Sequence, residues 1–248
     1  MMGGGRASGI YIGCAGWSLS SAVAAAFPAA GSHLQRYAAV LPAVEINSSF
    51  YRPHRPATYA RWRDSVPENF RFAVKMPRAI SHEHGLRDAE EPLDRFLAEA
   101  GMLERKLGCL LLQLPPSLQF VLADAEKFFH LLRQRTGVTV SCEPRHASWF
   151  SPEAAALMQR YRVCFVQADP PPTQETAPFG FPGLAYLRLH GSPEIYRSSY
   201  QHAFLEMLAG RIEALHQEAK QVWCVFDNTA AGHAVPNALS LIQLLRSC

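Results

Sequence analysis

A chain of 248 residues, 48% of them hydrophobic, with a formal net charge of +3, has ample apolar content for one large core. A charge bias this mild permits an anionic ligand without requiring nucleic acid. Six cysteines without a CxxC pair read as free buried thiols of a reducing compartment rather than zinc or iron–sulfur ligands, and no apolar run reaches membrane-spanning length.

Residues 1–9 read as a glycine-rich flexible arm, with a single domain expected over residues 10–248. No signal peptide is legible at the start, so a cytoplasmic location and no membrane partner are expected. The first apolar run, IYIGCAGW (10–17), has strand composition, and a short helix near 32–40 follows it. VEINSSFY (44–51) is the second predicted strand, and period-two alternation puts Glu45, Asn47 and Ser49 on one face, with Tyr51 continuing it. Proline opens a helix near 56–65. FAVKMP (72–77) is the third strand and carries Lys75; a long polar rim loop from Arg78 to Glu91 then brings His82 and His84.

A helix from Pro92 to Lys106 follows, with Leu93, Phe96, Leu97, Ala100 and Leu103 on one stripe. LLLQLPP (110–116) is the fourth strand, with Gln113 near its end, and a helix from Ala123 to Arg135 stops ahead of Gly137. TVSCEPR (139–145) gives Glu143 and Arg145 on one face. Ser151 is the expected cap of the next helix, with Pro152 in its first position. VCFVQAD (163–169) supplies Gln167 and Asp169, and the proline-rich 169–183 stretch after it excludes a regular helix, so this βα unit is degenerate. AYLRLHG (185–191) gives Arg188 and His190 on one face and is followed by a helix over 201–219; VWCVFDN (222–228) carries Asp227, and a last helix runs over 236–245.

Eight strands alternating with helices, at fairly even spacing, predict an α/β fold: a closed eight-stranded (β/α) TIM-like barrel with irregular βα units. An open nucleotide-binding sheet would need a glycine fingerprint, and GCAGW is not GxGxxG. Charge inside a strand is costly to bury unless paired or useful, so the polar strand ends are expected to point into the barrel at its C-terminal rim. There Lys75, Arg145 and Arg188 would meet Glu45, Glu143, Asp169 and Asp227 around one imidazole, His190.

Such a mixture suits acid–base chemistry. His190, Glu143, Lys75, Glu45 and Asp169 are the candidate catalytic residues; Arg145 and Arg188 would clamp a phosphate or carboxylate, beside Asn47, Ser49 and Gln113. His82 could close over the ligand, and Trp17 and Tyr51 could stack on it. The reading is an enzyme of hydrolase or isomerase type acting on a small or polymeric anionic substrate. Its alternative is a non-catalytic nucleic-acid or protein binding module using the basic stretch 52–78. A closed salt-bridge network without a ligand is the structural alternative. The carboxylates and His190 could also hold a divalent cation, but no diagnostic ligand spacing occurs and neighbouring cations would repel it, so a metal is not favoured and the cofactor stays unknown.

As a set, GCAGW, VEINSSFY, FAVKMP, QLPP, CEPRHASWF, YLRLHG and FDNTAAGHAVPNA resemble the YecE-like family of uncharacterised proteins, over residues 10–245. That resemblance implies a TIM-like barrel, and its polar positions add His146, Trp149, Gly191, Asn228 and Asn237; Asn228 joins the candidate substrate-binding residues. Two departures stand out: FDN places Asp227 where the family commonly has an amide, and CEPRH inserts Pro144 between Glu143 and Arg145.

Overall fold

In a computed structural model describing residues 9–173, 181–219 and 221–247, every apolar run contributes a strand. These are β1 (Ile10–Ala15), β2 (Ala43–Ile46), β3 (Arg71–Lys75), β4 (Leu107–Gln113), β5 (Val140–Glu143), β6 (Val163–Asp169), β7 (Ala185–Leu189) and β8 (Val222–Phe226). Each pairs in parallel with its sequence neighbours, and β8 returns to β1, closing the barrel. The helices are α1 (His33–Ala38), α2 (Pro56–Asp64), α3 (Glu90–Ala100), α4 (Leu122–Arg135), α5 (Pro152–Arg160), α6 (His202–Glu218) and α7 (Ala234–Ser247). Among them no helix is long and apolar enough to cross a membrane.

Local chemistry accounts for the helix starts. Ser151 accepts a hydrogen bond from the Ala154 N–H and Pro152 takes the first position of α5. Ser32 and Gln35 form a reciprocal capping box at α1. The stripe on α3 buries Leu93, Phe96 and Ala100, but the helix ends at Ala100, not Lys106. A 3-10 turn over Gly101–Lys106 takes over, and Glu104 within it has φ of 52°. The Arg78–Glu91 segment is not wholly irregular: Ala79–Glu83 makes one π-helical turn.

The helix-free connection expected after β6 runs largely through 174–180, outside the described residues; the flanking described positions hold no helix. The arm expected over 1–9 lies, except for Gly9, outside them as well.

Alternation divides the strand side chains between two cores. Outward residues such as Val44, Phe72, Leu112 and Phe226 pack under the helices, while Ala43, Ala73, Leu111, Val166, Tyr186 and Trp223 fill the barrel. Gly108 makes room for the largest of the inner side chains: a Cβ there would lie 2.6 Å from the Trp223 ring. Five cysteines are free and buried, and burial pushes the Cys14 thiol up to about 12; Cys248 lies outside the described residues.

Two predicted strands are shorter than the sequence suggests. β2 ends at Ile46, and Ser48–Phe50 turn as a 3-10 helix, so Ser49 and Tyr51 do not follow Glu45 by alternation. β5 ends at Glu143, leaving Arg145 on the loop above it.

Candidate active site

The barrel interior becomes progressively more polar toward the C-terminal end of its strands. Tyr186 and Trp223 stack with ring centroids 5.9 Å apart, and Tyr11 packs on Trp223. Above this apolar layer the Tyr186 hydroxyl donates to Glu45 Oε2 at 2.8 Å. Glu45 receives Arg188 in fork geometry, Nε at 2.9 Å and Nη2 at 2.6 Å. Arg188 also donates from Nη1 to Glu143 Oε2 at 2.8 Å, and its Nη2 lies 3.0 Å from Asp227 Oδ2. Three of the five N–H groups of this guanidinium therefore donate to carboxylate oxygens, with Asp227 as a further ion-pair partner, and Arg188 and Glu45 are both fully shielded from solvent.

One level higher sits His190. Its Nδ1 is 3.0 Å from Asp227 Oδ2 and its Nε2 is 3.2 Å from Glu143 Oε1. Arg145 donates to the same Glu143 Oε1 from Nε at 3.0 Å and Nη2 at 2.8 Å, and its Nη2 lies 3.3 Å from His190 Nε2. Asn47 Nδ2 reaches Asp227 Oδ1 at 3.3 Å, while Asn47 Oδ1 is buried without a partner among the described residues. Tyr196 sets its ring edge-on to the imidazole, 5.6 Å away. Lys75, also inside the barrel, holds Nζ 4.1 Å from the centre of the Phe50 ring.

The electrostatics follow from this layering. Burial alone would raise the Glu143 carboxyl, but Arg188, His190 and Arg145 outweigh it and hold the group well below the carboxylate range. Asp227 is lowered likewise, chiefly by Arg188 and His190 against burial. Burial would lower His190, yet its hydrogen bonds to Asp227 and Glu143 raise it above the ordinary imidazole value. Lys75 is pushed down to about 8, by burial first and by Arg188 second. His82 is lowered by burial, Lys75, Arg78 and Arg145, which puts it within the field of the same mouth.

Several expected members stand elsewhere or play another part. Asp169 and Gln167 face the helix layer: Asp169 Oδ1 accepts from Tyr200 Oη at 2.8 Å, and Gln167 accepts from Arg211 of α6. The inner face of β6 belongs to Cys164 and Val166, so alternation forces 167 and 169 outward. Arg188 is placed to hold carboxylates beneath the mouth rather than to clamp a ligand anion, and Glu45 is its buried counter-ion. Ser49 donates to the Ile46 and Lys75 carbonyls, securing the turn after β2 against β3. Asn228 is buried under the β7–α6 loop, donating to Ser198 O and Asn237 Oδ1.

Tyr51 points to solvent at 74% exposure, and Trp17 packs edge-on to Trp62 of α2. Gln113 is half-buried, paired in register with Glu143. Trp149 is buried, donating from Nε1 to Leu118 O, as expected of a core residue.

Within the basic stretch, Arg63 pairs with Asp64 and Glu104, Arg78 with Glu83, and Arg71 donates to the Glu68 and Phe70 carbonyls. Arg52, Arg55 and Arg61 are the arginines left exposed there without an acidic partner among the described residues. Among the described residues no His, Cys, Asp and Glu side chains are grouped as metal ligands. Two participants escaped the sequence reading: Tyr186, two positions before Arg188 and hence on its face, and Phe50, whose contact with Lys75 depends on the unforeseen turn after β2.

Comparison with known proteins agrees with this architecture. The UPF0759 protein YunF of Bacillus subtilis (strain 168) is 25% identical over 268 residues, covering 95% of this chain and 94% of YunF. The UPF0759 protein YecE of Escherichia coli (strain K12) is 31% identical over 143 residues, 57% of this chain and 50% of YecE. A crystal structure of a DUF72 family protein from Thermotoga maritima MSB8 superposes with a TM-score of 0.79 at 25% identity, covering 95% of this chain and 98% of that one. A sugar phosphate isomerase/epimerase from Parabacteroides distasonis ATCC 8503 shares the fold at a TM-score of 0.57 and 12% identity, covering 98% and 96% of the two chains. The family described as "Protein of unknown function DUF72" matches residues 11–247, and this chain, barrel and polar mouth together, belongs to it.

Proposed function

We propose that the protein is an enzyme that transfers protons on a small anionic substrate, phosphate- or carboxylate-bearing, at the C-terminal mouth of the barrel. The observation that carries this reading is His190 held between two carboxylates above a buried arginine. Asp227 fixes the ring through Nδ1, which leaves Nε2 as the nitrogen that exchanges a proton. Glu143 and Arg145 meet at that nitrogen, and a substrate entering there would replace their long contacts with it.

Charge balance supports an anionic ligand. With His190 protonated, Arg188, Arg145, Lys75 and the imidazolium exceed Glu45, Glu143 and Asp227 by one positive charge. Arg145, with 21% of its side chain exposed, is the cation best placed to meet the ligand.

The test is proton exchange. A panel of phosphosugars and of hydroxy and keto acids is incubated with the protein in deuterium oxide and followed by proton NMR. The reading expects enzyme-dependent loss of a carbon-bound proton signal, or turnover, for at least one compound. His190→Gln should slow that rate by about 10²–10⁴-fold, while Arg145→Met should mainly raise KM. A panel with neither exchange nor turnover, and no rise in melting temperature with phosphate, would overturn it.

A further inference from the structure

The chain has two buried lysines among the described residues, and they are held differently. Lys106 is 6% exposed, and its ammonium donates to the Arg63 and Val66 carbonyls, each at 2.8 Å, with Glu68 4.0 Å away. Lys75 is equally buried, yet its Nζ makes no hydrogen bond or ion pair among the described residues; its one recorded contact is the face of Phe50. The three inner carboxylates are turned to Arg188, Arg145 and His190 instead.

An ammonium placed this way is a poor structural choice. Burial removes most of its water, and a cation–π contact replaces only part of that solvation. An apolar side chain would fill the same space with less penalty. Its position, the last residue of β3, is at the barrel end where reacting groups gather. A desolvated amine with a cation beside it is also a recognised way to prepare a lysine nucleophile.

We propose that Lys75 Nζ is an amine nucleophile that condenses with the aldehyde or ketone of an anionic substrate to form an iminium. This rests on the mouth being the ligand site proposed above, and it names the substrate class: a carbonyl compound bearing a phosphate or carboxylate. In the reaction the ammonium first releases a proton. The nitrogen lone pair forms the C–N bond while the carbonyl π pair moves to oxygen. That oxygen takes up the released proton and a second one from nitrogen and departs as water. Ammonium and carbonyl thus give iminium and water, with no other reagent. The positive charge stays on nitrogen, so the surrounding ion pairs keep their balance. Burial and the neighbouring Arg188 favour the neutral amine; a value of about 8 leaves roughly a tenth of it unprotonated at pH 7. The charged groups that act on it are Glu45 from the neighbouring β2 and Glu143, Arg188 and Asp227 from strands farther round the barrel; the His82 imidazole is lowered in part by Lys75.

Trapping tests the proposal directly, because the chain has four lysines, Lys75, Lys106, Lys127 and Lys220. The protein is incubated with glyceraldehyde 3-phosphate, and separately with pyruvate, in the presence of sodium cyanoborohydride, and its peptides are mapped by mass spectrometry. The expected result is a reduced adduct on Lys75 with at least one of the two probes. It should form at least tenfold faster than the adduct on exposed Lys127, and excess inorganic phosphate should suppress the adduct of the phosphate probe. Lys75→Met should carry no adduct at that position; should it fail to fold, Lys75→Arg keeps the charge and cannot form an iminium.

Labelling of Lys75 no faster than Lys127, or none with either probe, would overturn the proposal. Should phosphate still raise the melting temperature of the wild-type protein, but not of Arg145→Met, while Lys75 stays unlabelled, the imine would fail and the anion site stand. Rapid labelling of Lys75 without any proton exchange across the NMR panel would instead remove His190 as the proton carrier and keep the amine.

Discussion

Arg188 joins Glu45, Glu143 and Asp227 inside a barrel where water does not compete for them. Removing it would leave three carboxylates facing one another without their common counter-ion. Arg188→Met is therefore expected to lower stability by about 3–5 kcal/mol, measured by urea denaturation; an unchanged midpoint would mean that Arg188 does not hold the cluster. Asp227 offers a subtler handle. Its carboxylate accepts from His190 and supports the protonated ring, so Asp227→Asn should lower the His190 pKa, read by nitrogen-15 NMR titration of the imidazole. Asp227 is thus expected to tune the histidine. Sequence reasoning reached these residue types because charges at strand ends require partners. It could not separate Arg188, sealed beneath, from Arg145, which opens to the mouth.

At the scale of elements, the loop between β7 and α6 sets the orientation of His190. The Gly191 N–H donates to Tyr200 Oη, Asn228 holds the Ser198 carbonyl, and Asn237 bonds Tyr200 through both its backbone groups. Gly191 has φ of +95°, and a Cβ there would lie 3.0 Å from Ser198 O. Gly191→Ala should therefore lower stability by about 1–3 kcal/mol and speed amide exchange at Ser198–Tyr200; unaltered exchange would show that the loop tolerates a side chain. The helices were largely legible, since Ser151 with Pro152, Pro56 and the α3 stripe are signals carried by a few neighbouring residues. Less legible were the strand ends: Asn47–Tyr51 continues an alternating pattern but turns after Ile46, where Ser49 bonds across to the Lys75 carbonyl.

For the whole molecule, the ionisable core predicts a pH profile. Glu143 and Asp227 have lowered values, so their stabilisation is complete above the ordinary carboxylate range and is lost as pH falls through the depressed ones. His190 is raised, so its stabilisation is complete below about 6.5 and disappears as pH climbs through the raised value. Lys75 is lowered to about 8 from 10.5; between those values the unfolded chain binds more protons, and stability rises with pH. Below about pH 8, where the Lys75 rise has not begun, melting temperature should thus be highest between about pH 4.5 and 6.5, and His190→Gln should remove the fall that follows while leaving the acid limb. A flat profile in the wild-type protein would contradict the coupling of His190 to its two carboxylates. Composition and alternation by themselves determined the eight strands, the closed barrel and the gathering of charge at one rim, because a buried strand can carry polar groups only where they find partners. Tertiary structure alone decided which alternating face looks inward. It turned Asp169 and Gln167 outward, brought Tyr186 beneath Glu45 and laid Phe50 against Lys75, since barrel closure and the turn after β2 depend on contacts between residues far apart in the chain.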